Sequence, residues 1–508
     1  MRILIYLYFA LVIALTVSTN WIIFLSLLST EVVVLGCLMR IKWDRSSRIQ
    51  ALIEPSDPSK PARRVFVLCF LIIAMGSIIY WLAFYPGGFN LDAYGQWGQA
   101  HGIMRYNDWH PVTSTLIIQL FSSICDSFAF CILIQIIAFS LAMALLLTTL
   151  YGYGVNSRIL LLIATYVSIN PAIGLNTISL TKDVQYTIFS VLLFDILIRI
   201  YFSNGLWLTS FIHCVYIALI SAMLCLVRHN GILFVMPMLL LVLLLKQQKI
   251  RYILTSAMLA LVCIIIVKVP LSQYLNVTPH ENPVGEAMGI PMAIMVNALV
   301  SEPDKLPVDV HNFLNDIADD VSWKNHYITG EWDSCKWEFG GASLLADVSP
   351  GKILEYTLLT IRSCPESAYH SIRENTRIVW EPLISYNYWV PKVYIEDNDY
   401  GIRPAPVKAF SLIAELLIRA SFCFPIGMLC WNTGTHIIVI MIVFLLAKGR
   451  KINSCSYLYI PLLVYDFGTM LFLAGPNQRY FYCNTVLFLP IVICGLFERG
   501  AKVCLKKL

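Results

Sequence analysis

Charge is scarce in this chain of 508 residues: Asp, Glu, Lys and Arg make up 13% of it, about half the share found in soluble domains. No Gly-rich phosphate loop stands between a strand and a helix, and no Ser or Cys sits in a nucleophile elbow. The nine His residues are scattered, and no His, Cys or carboxylate run has metal-site spacing. No internal repeat relates two halves, and ionisable residues are rare inside apolar runs, which argues against an ion or substrate path through a membrane. A composition so low in charge excludes a secreted or cytosolic enzyme, a nucleic-acid binder and a disordered scaffold.

Apolar surface is what the chain has in excess. The apolar set reaches 58% and mean hydropathy is +0.71, so most of the chain must face lipid. Runs long enough to suggest spans lie near 3–18, 21–39, 65–84, 127–150, 158–179, 184–202, 207–226, 230–246, 252–270, 434–447, 457–474 and 482–497. They predict a polytopic α-helical membrane protein with about twelve transmembrane helices. The first two read as a hairpin, because no cleavage region separates them. Basic residues gather at 40–64, at Lys246, Lys249 and Arg251, at Lys448, Arg450 and Lys451, and at Lys502, Lys506 and Lys507. Alternating spans put all four groups on one side, the cytoplasm, with both termini.

One soluble insertion, 271–405, carries nineteen Asp and Glu against nine Lys and Arg, a net of −10 that leaves +15 for the rest. It reads as a domain on the outer face, between a membrane domain at 1–270 and a C-terminal part at 406–508. Within the latter, 406–423 reads as an interfacial helix. Most of the 15 cysteines lie in apolar runs and act as small hydrophobes. Cys335 and Cys364 lie in the outer domain, where an oxidising compartment predicts a disulfide. Asn276-Val277-Thr278 is a glycosylation sequon that reads as a chance match. Asp466 is the one deep acidic residue and is expected to bond a neighbouring helix; Asp195 and Arg199 have the spacing of an ion pair.

Polar residues collect at the outer ends of the spans. The loop 85–126 reads Tyr85-Pro86-Gly87-Gly88-Phe89-Asn90-Leu91-Asp92-Ala93-Tyr94-Gly95-Gln96-Trp97, then Asn107-Asp108-Trp109-His110-Pro111 and a short amphipathic helix at Pro111–Ser123. Later outer turns hold Lys182-Asp183, Arg228-His229-Asn230 and Arg479-Tyr480. Water begins at helix ends, and Trp and Tyr mark the interface, which accounts for any one cluster. Three cations on the outer side run against the usual bias, and an anionic ligand there would explain them. Asp92 and Asp183 add carboxylates to the same layer, and such a group can act as a general base.

The loop with Asp92, the following Trp109-His110-Pro111 and juxtamembrane helix, the second acidic turn at Asp183 and the large late insertion together resemble the GT-C superfamily of polytopic glycosyltransferases. They are similar in particular to bacterial serotype-converting O-antigen glucosyltransferases. The motifs cover the first 270 residues and the remainder matches by layout. Residues 90 and 94, Asn and Tyr here, replace the second acid that many members carry, so a divalent metal is not favoured and no cofactor is required. The resemblance implies a polyprenyl-phosphate sugar donor, with glucose the expected sugar. It implies a lipid-linked glycan acceptor such as O-antigen, and transfer with inversion at the periplasmic face of the bacterial inner membrane. A flippase and a polyprenyl-phosphate sugar synthase would be partners. Asp92 would be the base, with Asp183 orienting Lys182 or a sugar hydroxyl. Lys182, Arg228 and Arg479 would hold the donor phosphate. Tyr94, Trp97, Asp108, Trp109, His110, His229 and Tyr480 would bind sugar or acceptor. The alternatives are an O-antigen polymerase or ligase, and a transporter of lipid-linked sugars.

Overall fold

The computed structural model describes residues 2–18, 21–25, 28, 61–245, 249–279, 285, 287–340, 345–382, 393–446 and 455–496. Every regular element among them is a helix. The first part contains α1 (Arg2–Val17), α2 (Ala62–Ala83), α3 (Leu91–Ala100), α4 (Val112–Ile124), α5 (Phe128–Gly152), α6 (Ser157–Ile169), α7 (Pro171–Thr177), α8 (Lys182–Phe202), α9 (Phe211–Val227), α10 (Ile232–Leu245) and α11 (Ile250–Ile266). The insertion forms α12 (Gly289–Ser301), α13 (Val308–Asn315), α14 (Asp320–His326), α15 (Asp333–Lys336), α16 (Pro350–Ser363) and α17 (Pro365–Trp380). The chain ends with α18 (Lys408–Ser421), α19 (Ile426–Trp431), α20 (Thr433–Leu446), α21 (Ile460–Met470) and α22 (Tyr482–Leu496).

Five of the described helices are long and apolar enough to cross a membrane, or six if the bent pair α6–α7 is one span. The sequence-based count of about twelve is not matched among the described residues. An apolar run specifies burial and not a spanning length. The run at 158–179 bends by 63° where Asn170 caps the N-terminus of α7 and Pro171 occupies its first position, a place where proline is favoured. Other runs end as apolar helices of 10–17 residues, such as Phe211–Val227 and Thr433–Phe444, against the roughly 20 that a span needs. Most of the expected run at 21–39, and the basic groups at 40–60, 448–451 and 502–507, lie outside the described residues.

The long helices show apolar faces to their surroundings. Leu254, Met258, Leu261, Val262, Ile265 and Ile266 are all exposed along α11, and Val67, Leu71 and Met75 along α2. A water-facing helix would carry polar residues there, so these faces mark a helical membrane protein. Inside, α2 packs on α5 and α6, α8 on α5 and α9, and α20 on α22. The insertion has its own core, in which Trp323 and Trp332 stack with ring centroids 6.3 Å apart. Its last helix merges with the main body: Ile378, Val379 and Trp380 of α17 belong to the large apolar core. The stretch 406–423 contains a helix, α18, with Leu412, Ile413 and Leu416 exposed and its other side against α2.

Cys335 and Cys364 are both buried free thiols, so the expected disulfide is absent. Each is packed in the apolar core of the insertion, where a thiol behaves as a small hydrophobe; burial pushes the Cys335 thiol up to about 11. The inferred hydrogen bond of Asp466 is present, with Asn484 Nδ2 of α22 donating to Asp466 Oδ2 at 2.6 Å. Arg199 Nε donates to Asp195 Oδ2 at 2.7 Å.

One helix crossing depends on a glycine. A Cβ on Gly76 would lie 2.4 Å from the carbonyl oxygen of Ser168 and 2.1 Å from its Oγ, so α2 and α6 meet there only because the side chain is absent. Gly76→Ala is expected to lower the thermal midpoint in detergent, at a cost of about 1–3 kcal/mol. Gly152→Ala, whose Cβ would meet nothing within 4 Å, should leave it unchanged. Equal midpoints for both variants would show that the crossing can open freely.

Candidate active site

Three extended segments assemble the site. Gly88 N donates to Ile178 O at 2.9 Å and Leu180 N to Gly88 O at 3.2 Å. On the other side Phe89 N donates to Tyr394 O at 2.9 Å and Glu396 N to Phe89 O at 2.7 Å. The loop after α2 is thus clamped between the segment that enters α8 and the segment that precedes α18. Gly87 makes the turn possible. Its φ of +123° excludes a side chain without strain, and a Cβ would lie 2.7 Å from Ile178 O.

This clamp fixes α3. Asn90 caps it, its side chain accepting from Ala93 N at 3.0 Å, and Asp92 lies in the first turn, where the helix dipole favours negative charge. Asp92 Oδ2 accepts from Arg479 Nη1 at 2.8 Å. Its Oδ1 is 3.6 Å from His110 Nε2, and Lys182 Nζ donates to His110 Nδ1 at 2.7 Å. Arg479 comes from the turn Gln478–Phe481 before α22, and Lys182 is the first residue of α8. A carboxylate is therefore held between a guanidinium on one side and an imidazole–ammonium pair on the other.

Burial alone would raise the pKa of Asp92. The positive charge of Arg479, then the His110 N–H and the Lys182 ammonium, outweigh it and hold the carboxyl well below its usual range. Burial, reinforced by Lys182, pushes His110 down to about 3, although Asp92 pulls the other way. The imidazole is neutral at physiological pH, so Nδ1 accepts from Lys182 and Nε2–H faces Asp92, an assignment made from these partners.

Asp92, His110, Lys182 and Arg479 line one cavity of about 700 Å³, together with Trp109 and Tyr480. The other residues singled out from the sequence lie off its wall. Trp97 is buried against Phe128 and His101, and Tyr94 packs on Phe89 and Tyr400. Asp108 pairs with Lys268 at 2.8 Å and its backbone carbonyl meets His229 Nε2 at 3.2 Å, which ties the loop to the turns that follow α11 and α9. Asp183 and Arg228 pair with each other at 2.7 Å. The Arg228 guanidinium lies 5.7, 5.9 and 5.2 Å from the ring centroids of Tyr186, Tyr465 and Tyr480. Its charge is matched and enclosed, and this pair anchors the neighbours of the cavity.

Asn90, which stands where the resembled family often carries an acid, also lines the cavity. The cavity draws further on residues that the sequence analysis did not single out: Gln99, Asn176 and Asn477 add amides, and Asp333, Lys336 and Trp337 form a wall supplied by the insertion. The one available signal was the run Trp332-Asp333-Ser334-Cys335-Lys336-Trp337, a polar and aromatic mixture unlike the acidic sequence around it. Among the described residues no group of three or more His, Cys, Asp or Glu could hold a metal ion.

Two outcomes follow from these geometries. His110 accepts a proton more readily in the unfolded chain, near pH 6.5, than in the fold, near 3. Stability therefore rises with pH between those values and is lost as pH falls. His110→Gln, which keeps an acceptor and a donor, should flatten the fall in thermal midpoint between about pH 7 and pH 4.5; identical slopes for both proteins would refute the neutral imidazole. Arg228→Met leaves Asp183 buried and unpaired, and should destabilise the fold by about 3–5 kcal/mol in detergent melts. A melt unchanged from wild type would mean the pair is not an anchor.

No protein-family model matches the chain, and no curated protein matches it.

Proposed function

We propose that the chain is an integral-membrane glycosyltransferase that moves a sugar from a polyprenyl-phosphate carrier to a hydroxyl of a lipid-linked glycan. The observation that carries this reading is Asp92 held between Arg479 and the His110–Lys182 pair on the wall of a cavity of about 700 Å³. The cavity lies where α8 and α22 begin, at the end of the apolar layer, and a lipid-linked headgroup would meet protein there. With His110 neutral, the charged wall residues are Asp92, Asp333, Lys182, Lys336 and Arg479. Their sum is one positive charge, which suits the single negative charge of a phosphodiester.

In the proposed step the acceptor oxygen attacks the anomeric carbon of the donor sugar. The carbon–oxygen bond to phosphate breaks, and its electron pair stays on the departing polyprenyl phosphate. The acceptor proton passes to Asp92, and one displacement inverts the anomeric centre. Lys182 and Arg479 face the charge that grows on the leaving phosphate, where fixed cations act most strongly. Arg479 suits this task because its Nε is buried with no partner among the described residues.

The same geometry supports an order of binding. Asp92 held by Arg479 is a weak base, since effective bases have pKa values near the working pH. A donor phosphate that draws on Arg479 and Lys182 would offset their charge and raise the proton affinity of Asp92. The base is thus activated only when donor is present. The finer assignments, glucose, O-antigen, a periplasmic active site and cytoplasmic termini in a bacterial inner membrane, belong to this proposal and follow from the resemblance and the charge pattern.

Mass spectrometry of envelope glycans tests it. Replacement of the wild type by Asp92→Asn should remove a hexose-sized increment while glycan length and the amount of folded protein stay constant. Lys182→Ala should raise the apparent donor KM or lower kcat. Collapse of glycan length would indicate a polymerase or ligase, and unaltered glycans in Asp92→Asn would sink the assignment of the base.

A further inference from the structure

The wall contributed by the insertion has a chemistry of its own. Trp337 is 57% exposed, although it lines a polar cavity. It is held in place from two sides. Lys336 Nζ lies 4.7 Å from its ring centroid, and Trp109 stands 5.9 Å away at an interplanar angle of 58°. The side chain of Lys336 is itself only 3% exposed and its Nζ is 2.9 Å from Asp333 Oδ1. Asp333 N in turn donates to Ala474 O at 3.1 Å, which fastens this corner to the turn that leads to Arg479. The result is a fixed aromatic corner beside a carboxylate–ammonium pair without net charge.

From this geometry we infer that Trp109, Trp337 and the Asp333–Lys336 pair form the acceptor subsite, and that it takes an uncharged pyranose ring of a glycan. A pyranose presents a face of C–H bonds, which the electron-rich face of an indole attracts. At its rim it presents hydroxyls that each donate and accept. A carboxylate accepts only and an ammonium donates only, so the adjacent pair can satisfy two neighbouring hydroxyls in both senses. A neutral pair gains nothing from an acidic sugar, whereas Lys182 and Arg479, set against Asp92 alone, carry the surplus positive charge that a phosphate needs. The two groups of wall residues thus differ in chemistry as donor and acceptor subsites would. The assignment rests on the glycosyltransferase reading, and it makes the insertion the part of the chain that selects the acceptor.

The test uses the full chain in detergent, polyprenyl-phosphate glucose as donor, and lipid-linked glycan extracted from the producing cells as acceptor. Trp337→Ala should raise the acceptor KM tenfold or more and leave the donor KM within twofold, and Trp337→Phe should recover most of the loss. A rise in donor KM instead, or no change in either constant, overturns the subsite. If the wild type transfers no sugar from this donor or from its mannose and galactose counterparts, the functional reading fails. The subsite is then read from binding alone. A change in tryptophan emission on adding the extracted glycan, present in wild type and lost in Trp337→Ala, keeps it, and an equal or absent change in both removes it. Equal thermal midpoints for wild type and variant confirm that the exposed indole was removed without unfolding.

Discussion

Arg228 is the charge around which the site is built. It ends α9, meets Asp183 in the first turn of α8, and lies among the rings of Tyr186, Tyr465 and Tyr480. Those groups come from α8, from α21 and from the turn before α22. A guanidinium taken out of water needs a carboxylate partner and enough acceptors and rings to replace its hydration. Satisfying it draws together the elements that carry Lys182 and Arg479. The neighbours in sequence of its partners, Lys182 beside Asp183 and Arg479 beside Tyr480, are the cations that face the cavity.

Residues next to one another thereby divide the labour. Asp183 is spent on structure and Lys182 on the cavity; Tyr480 encloses one arginine while Arg479 holds Asp92. A substitution in the buried half of such a pair is felt in the exposed half, because both sit on the same turn of backbone. The cavity combines polar and aromatic groups, and its walls come from the first loop, the starts of two helices and the insertion. Its shape therefore depends on long-range packing far more than on any one loop.

That dependence sets how much could be read from the sequence. Asp92, His110, Lys182 and Arg479 were legible because polar residues at the ends of apolar runs have few places to go, and the structure brings these four together. Trp97 and Tyr94 were misleading, since an aromatic residue in a polar loop looks the same whether it faces a ligand or, as here, closes a small core. Arg228 had the right composition for a phosphate ligand, and only its distance from Asp183 shows that its charge is matched. Asp333, Lys336 and Trp337 lie hundreds of residues from Asp92, and no local pattern reports such a contact. The difference in span count has a similar cause: hydropathy records which residues avoid water, whereas bends at Asn170–Pro171 and the shortness of helices such as α9 are set by capping and packing.

The capping role of Asn90 has an evolutionary corollary. Asp is as good a cap as Asn, so Asn90→Asp would keep α3 intact while adding a carboxylate two residues from Asp92 on the same wall. An amide nitrogen exchanged for oxygen would convert a site governed by its own lysines and Arg479 into one with a paired acid, the kind of oxygen-rich cradle that hard divalent cations prefer. The backbone here is compatible with either state, so the choice between relying on resident side-chain cations and recruiting an external ion turns on one side-chain atom.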